Sequence, residues 1–120
     1  MNILIVDDNK EFREALKFMI TENFSDKYDE LFTAENGEVC MDIIRNKTVD
    51  IVFMDKQMPV MDGVTATKAI VDQYRNIKVI AVSFHSELDD VRVMLEAGAR
   101  NYIVKENITP KNISRCLDIT

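Results

Sequence analysis

Short apolar runs alternate along this chain with stretches whose apolar residues recur every three or four positions. Ile3, Leu4, Ile5 and Val6 form a continuous run, as expected of a strand covered on both faces. Phe12, Ala15, Leu16, Met19 and Ile20 then repeat at helical spacing. Residues 30–34, ELFTA, predict a weaker strand at a sheet edge, and Asn36 and Gly37 open a helix carrying Val39, Cys40, Ile43 and Ile44. A third strand is predicted over 51–54. The helix after it is capped by Asp62 and carries Val64, Thr67, Ile70, Val71 and Tyr74. Residues 77–82 give a fourth strand, followed by a helix capped by Ser86, carrying Leu88, Val91, Met94 and Leu95, and stopped near Gly98. Residues 102–104 give a fifth strand, and a last helix starts at about Pro110 and carries Ile113, Cys116 and Leu117. Five strands alternating with five helices imply an α/β domain: a parallel sheet, helices on both faces, right-handed crossovers. Element order alone leaves the strand order open.

Composition narrows the class. With 120 residues the chain is one domain of ordinary size, and 47% hydrophobic with 30% charged residues is the balance of a water-soluble globular protein. No apolar run approaches the roughly 20 residues that span a bilayer, and the amino terminus lacks the basic start of a signal peptide. Strand-like sequence follows Met1 at once, so the domain is expected to begin with the chain, in the cytoplasm. A net charge of −6 argues against direct binding to nucleic acid, and nothing suggests a membrane partner. Cys40 and Cys116 sit in apolar helical patterns and read as core thiols, and a single histidine, His85, argues against zinc.

The chemistry lies at the strand ends. The first run stops at Asp7 and Asp8, the third at Asp55, the fourth at Ser83 and the fifth at Lys105. A parallel sheet aligns these ends along one edge, where open α/β folds bind their ligands. One charge after a strand is usually only solvated; Asp7 and Asp8 alone could favour a helix N-terminus, and Ser83 alone could merely end a strand. Together, three crowded carboxylates without histidine or thiolate favour a hard cation, Mg²⁺ above all. Lys105 and Ser83 suit phosphoryl oxygens. Asp55, alone at its strand end, is the candidate nucleophile, with Asp7 and Asp8 better placed to hold metal.

Asp7-Asp8, Asp55 followed by MPVMDG, Ser83 and Lys105 resemble, over essentially the whole chain, the receiver domain of two-component response regulators. The resemblance implies a flavodoxin-like (βα)5 fold with strand order 2-1-3-4-5, the order found in the chemotaxis receiver. It implies a receiver domain over 1–120 in which Asp55 takes a phosphoryl group from a histidine kinase phosphohistidine, catalysing its own phosphorylation and slow dephosphorylation. Asp8 and Asp55 would ligate Mg²⁺, Asp7 often through water, with the Gln57 backbone carbonyl completing the protein ligands. Ser83 and Lys105 would hold phosphoryl oxygens, and Tyr102 matches the aromatic switch position, although an aromatic there is otherwise a core residue. The switched surface would be that of helix four, strand five and helix five, with dimerisation, partner docking or release of an attached effector as outputs. A stand-alone receiver and the first domain of a longer protein both fit.

Several positions depart from the pattern or modulate it. Glu106 follows Lys105 where most receivers have proline, a trait common in receivers joined to helix-turn-helix DNA-binding domains. Phe84 stands where a small residue is usual and is expected to narrow the site's mouth, giving slower or donor-selective phosphorylation. His85, with Gln57, falls where receivers tune loss of the phosphoryl group; an exposed loop histidine is the bland alternative. Two other functions compete. A haloacid dehalogenase-type phosphatase would need an acid/base aspartate where Gln57 stands, and a docking module would signal without phosphate.

Overall fold

The computed structural model describes residues 1–118. Its elements alternate as β1 (Asn2–Val6), α1 (Lys10–Phe24), β2 (Glu30–Ala34), α2 (Gly37–Asn46), β3 (Ile51–Met54), α3 (Gly63–Gln73), β4 (Lys78–Ser83), α4 (Leu88–Ala97), β5 (Asn101–Val104), a 3₁₀ turn (Lys105–Asn107) and α5 (Pro110–Asp118). All strand pairs are parallel, in the order β2-β1-β3-β4-β5. This is the flavodoxin-like order that the resemblance implied.

The continuous apolar runs of the central strands are two alternating half-runs. Leu4, Val6, Val52, Met54, Val79 and Ala81 face one core with α2, α3 and Met94 of α4. Ile3, Ile5, Ile51, Phe53, Ile80 and Val82 face the other, with Leu16 and Ile20 of α1 and Ile113, Cys116 and Leu117 of α5. Side chains alternate across a pleated strand, so a sheet with two buried faces needs apolar residues at every position. At the edge, β2 leaves Glu30 and Thr33 exposed, which explains its weaker pattern. Both cysteines are free and buried. No described helix is long and apolar enough to cross a membrane.

Helix starts follow their caps. The Asn9 side chain accepts from Phe12 N–H (3.0 Å), Asn36 from Val39 N–H (2.8 Å), Asp62 from Thr65 N–H (2.8 Å) and Thr109 from Asn112 N–H (3.2 Å). The start of α4 differs from expectation. Ser86 does not cap it; Glu87 holds the cap position and makes no side-chain cap bond. Two predicted faces also shift. Leu88 and Leu95 of α4 are exposed while Met94 and Ala97 are buried, and α3 buries Ala66, Thr67 and Ile70 but leaves Val71 at the rim. Gly98 ends α4 with φ 117°, a left-handed conformation that glycine adopts without strain. The Lys105–Glu106 peptide is trans, and the chain leaves β5 through the 3₁₀ turn.

Candidate functional site at the carboxyl edge of the sheet

Strand register sets the depth of each candidate group. The last paired rung of β1 and β3 is Val6 with Met54, so Asp7 and Asp55 come next at the same level. Backbone bonds extend past that rung: Asp55 N–H donates to Val6 O (2.9 Å) and Asp7 N–H to Ala34 O (3.0 Å). Met54 pairs with Ala81, which puts Ser83 one rung further out; Ala81 pairs with Tyr102, which puts Lys105 two rungs out. Lys105 must therefore fold its long side chain back. Its Nζ lies 2.6 Å from Asp7 Oδ2 and 3.8 Å from Asp55 Oδ1, with the side chains of Lys105 and Asp7 almost fully buried.

The carboxylates of Asp7, Asp8 and Asp55 each offer an oxygen within 4.8 Å of the others; Asp7 and Asp55 are buried and Asp8 is exposed. Burial is the largest influence on Asp55 and the Asp7 charge the next; with Asp8 they push its pKa up to about 7 against the opposing pull of Lys105 and the Lys56 backbone N–H. Three hard oxygen donors with no histidine or thiolate among them fit a divalent ion such as Mg²⁺. The site opens as a pocket of about 160 Å³ lined by Asp7, Asp8, Asp55, Ser83, Phe84 and Lys105, among others. That is below the roughly 300 Å³ at which organic-ligand pockets begin, and suits a small anion and a hydrated ion.

The loop behind Asp55 is built to hold that carboxylate at the edge of the pocket. Gly63 N–H donates to Lys56 O (2.8 Å), and a Cβ at Gly63 would lie 1.9 Å from the Asp55 carbonyl oxygen, so only glycine allows α3 to start this close. At Val60 the backbone turns through φ 69°, closed by a Met61 N–H bond to Pro59 O (2.8 Å).

Ser83 is buried, and its Oγ accepts from His85 N–H (3.2 Å). Tyr102 is half-buried and donates its hydroxyl to the His85 carbonyl (2.7 Å). His85 Nε2 bonds Gln57 Oε1 (3.1 Å), which joins the loops after β3 and β4 at an exposed position. Phe84 borders the pocket and is 58% exposed.

Sequence reasoning does not reach the other neighbours of the site. Arg13 donates to the Asp7 carbonyl (2.6 Å), and Lys56 pairs with Asp90 of α4. Phe12 reads from sequence only as a core position, yet its ring centroid lies 4.2 Å from Lys105 Nζ.

Comparison with known proteins converges on one family. The chain is 30% identical over 106 residues to the transcriptional regulatory protein DegU of Brevibacillus brevis, a match covering 88% of this chain and 44% of that protein. It is 34% identical to the chemotaxis protein CheY of Bacillus subtilis, covering 86% of this chain and 83% of that one. It also superposes on a chain in the crystal structure of the CheX–CheY–BeF3–Mg complex from Borrelia burgdorferi, with a TM-score of 0.78 and 30% identity over 96% of this chain and 84% of the other. The chain spans less than half the length of the first of these relatives, and most of the length of the other two. Residues 3–117 match the profile of the response regulator receiver domain, and with the strand order and relatives in agreement the chain belongs to that family, the receiver domain of two-component signalling.

Proposed function

We propose that Asp55 is the phosphoacceptor of this receiver, taking a phosphoryl group from a phosphohistidine of a histidine kinase or phosphotransfer protein. The observation that carries this reading is the Asp55 carboxylate itself: buried beside Asp7, 3.8 Å from the Lys105 ammonium, in a pocket sized for a phosphoryl group. An Asp55 oxygen attacks phosphorus in line with the leaving imidazole; the P–N bond breaks and its electron pair returns to the ring nitrogen. The reverse fate is attack on phosphorus by water, which releases inorganic phosphate and restores the carboxylate. Positioning and charge neutralisation account for most of such a transfer.

Asp8 and Asp55, with Asp7 behind them and the Gln57 backbone carbonyl, would hold Mg²⁺, whose charge offsets that of the transferring oxygens. Lys105 pairs with one phosphoryl oxygen and the Ser83 hydroxyl donates to another. When Ser83 turns its Oγ to the phosphoryl group it leaves the His85 N–H. Tyr102, already bonded to the His85 carbonyl, follows the loop and transmits the change to α4, β5 and α5. Phe84 and the Gln57–His85 pair flank the path of attacking water and set how long the phosphoryl group lasts. Two features of the relatives support the reading: BeF3 with Mg in the Borrelia complex, and transcriptional regulation in DegU. We read residues 1–120 as one receiver domain acting in the cytoplasm, with a C-terminal effector beyond it, or dimerisation of the phosphorylated form, as the output.

Intact mass after incubation with a small-molecule phosphodonor and Mg²⁺ tests the chemistry. The wild type is expected to gain one phosphoryl group, and Asp55→Asn and metal-free samples to gain none. No gain, together with no beryllofluoride-induced NMR shift at Asp55, Ser83 or Lys105, would replace this reading with that of a docking module that signals without phosphate.

A further inference from the structure

A buried ammonium has three N–H donors to place. Lys105 gives one to Asp7 at 2.6 Å, while Asp55 at 3.8 Å is beyond hydrogen-bond distance. Two aromatic rings lie against it. The centroid of Phe12, in the first turn of α1, lies 4.2 Å from Nζ, and that of Phe84, in the loop after β4, lies 4.8 Å from it. Both are within the range at which a cation is attracted to a ring face. The Lys105 side chain is 4% exposed although Phe84 itself is 58% exposed. Phe84 therefore contributes little to the core, and its ring lies against the lysine ammonium.

The chemistry of the cover matters. Lys105 enters from two rungs beyond Asp55 on a flexible four-carbon stem, so something must confine it if its ammonium is to meet a phosphoryl oxygen over Asp55. A polar cover would offer acceptor oxygens and compete with the phosphoryl group. Two ring faces attract the charge and offer no acceptor, which leaves the ammonium free to turn towards an incoming anion. Resting on the phosphoacceptor reading above, we infer that Phe12 and Phe84 are positioning residues that hold the Lys105 ammonium between their rings, directed at the phosphoryl site. Phe84 then does more than narrow the mouth, and Phe12 acts on the site from an element that carries none of the expected active-site residues.

The test combines a geometric with a functional readout. Protons on the Lys105 ε-carbon are expected upfield of ordinary lysine values through the ring currents of both phenylalanines, and Phe12→Leu and Phe84→Leu should each move them back. Titrated with beryllofluoride in saturating Mg²⁺, each leucine variant should bind roughly three- to tenfold more weakly, the range of a partly desolvated cation–ring contact. Phe12→Tyr and Phe84→Tyr, which keep the ring, should restore binding; a role in packing alone would not separate tyrosine from leucine in this way. Leucine variants that bind beryllofluoride as tightly as wild type, or tyrosine variants as weak as the leucine ones, would overturn the positioning role. Wild type that binds no beryllofluoride in Mg²⁺ would instead bring down the phosphoacceptor reading, and the role with it.

Discussion

Val60 sits in a conformation that valine seldom adopts. Its φ of 69° is left-handed, where a β-branched side chain crowds its own backbone, and the side chain is 74% exposed, so little packing offsets the strain. Asparagine tolerates this region better and, unlike glycine, adds little freedom to the unfolded chain. Val60→Asn is expected to stabilise the protein by about 1 kcal/mol, read as a higher denaturant midpoint with an unchanged slope. Asp55 makes a second prediction at this scale. Its pKa is raised to about 7 from 3.8, chiefly by burial and then by Asp7, so the metal-free folded state binds a proton that the unfolded state has released. The stability this group contributes is full below about pH 4 and is lost as the pH rises through 7. Asp55→Asn has no such loss, so the melting temperature of the variant minus that of the wild type should increase from pH 5 to pH 8 without metal, and Mg²⁺ should reduce the gap. A constant difference across that range would mean that Asp55 is not perturbed. The residues most legible from sequence are the polar ones that end a strand's apolar run: Asp7, Asp8, Asp55, Ser83 and Lys105. Phe12 is not legible, because its apolar character agrees with the core pattern of its helix and only the folded structure shows its ring against a cation.

At the scale of elements, the period of the apolar pattern carries most of the information. Continuous runs of four apolar residues fit central strands buried on both faces, and four side-chain caps, including Asp62, stand where helices start. The start of α4 is harder to read because serine is a good cap in isolation, whereas here an ion pair from Asp90 to Lys56 stands at the first turn and the cap position falls one residue later, at Glu87. The exposed Leu88 and Leu95 mislead for a related reason: α4 buries only the stripe around Met94 and Ala97, so apolar residues outside it face solvent. Within α3, Thr67 is fully buried, and its Oγ1 is the one buried side-chain polar atom without a hydrogen-bond partner among the described residues. A buried hydroxyl without a partner costs more than a methyl of similar shape. Thr67→Val should therefore stabilise the fold by about 1 kcal/mol, visible as a higher melting temperature, with beryllofluoride binding unchanged. A destabilised variant would show that the hydroxyl does find a partner, such as an ordered water.

For the whole molecule, what matters is how a change at Asp55 could reach a helix that contributes no ligand to the site. Three contacts bridge the distance. Lys56, next to Asp55, pairs with Asp90 in the first turn of α4; Gln57 bonds His85; and Tyr102 of β5 bonds the His85 carbonyl. The Lys56–Asp90 pair is largely shielded, with side chains 15% and 21% exposed, and the Lys56 hydrogen bond holds the Asp90 carboxyl below its ordinary pKa. α4 has no side-chain cap, and this pair is a side-chain tie that fastens its amino-terminal turn to the loop carrying Asp55. Elements that move in a switch are drawn from the less stable parts of a fold, and an element held by few ties is such a part. Asp90→Asn should therefore raise amide hydrogen exchange selectively over the first turn of α4, leaving the β1 and β3 amides protected as in wild type. It should also remove part of the resistance to Ser83 and Tyr102 changing position, so that beryllofluoride produces a larger shift at Tyr102 at the same occupancy of the site. Unchanged exchange in α4 would place the tie elsewhere, and the Gln57–His85 contact would be the next to cut.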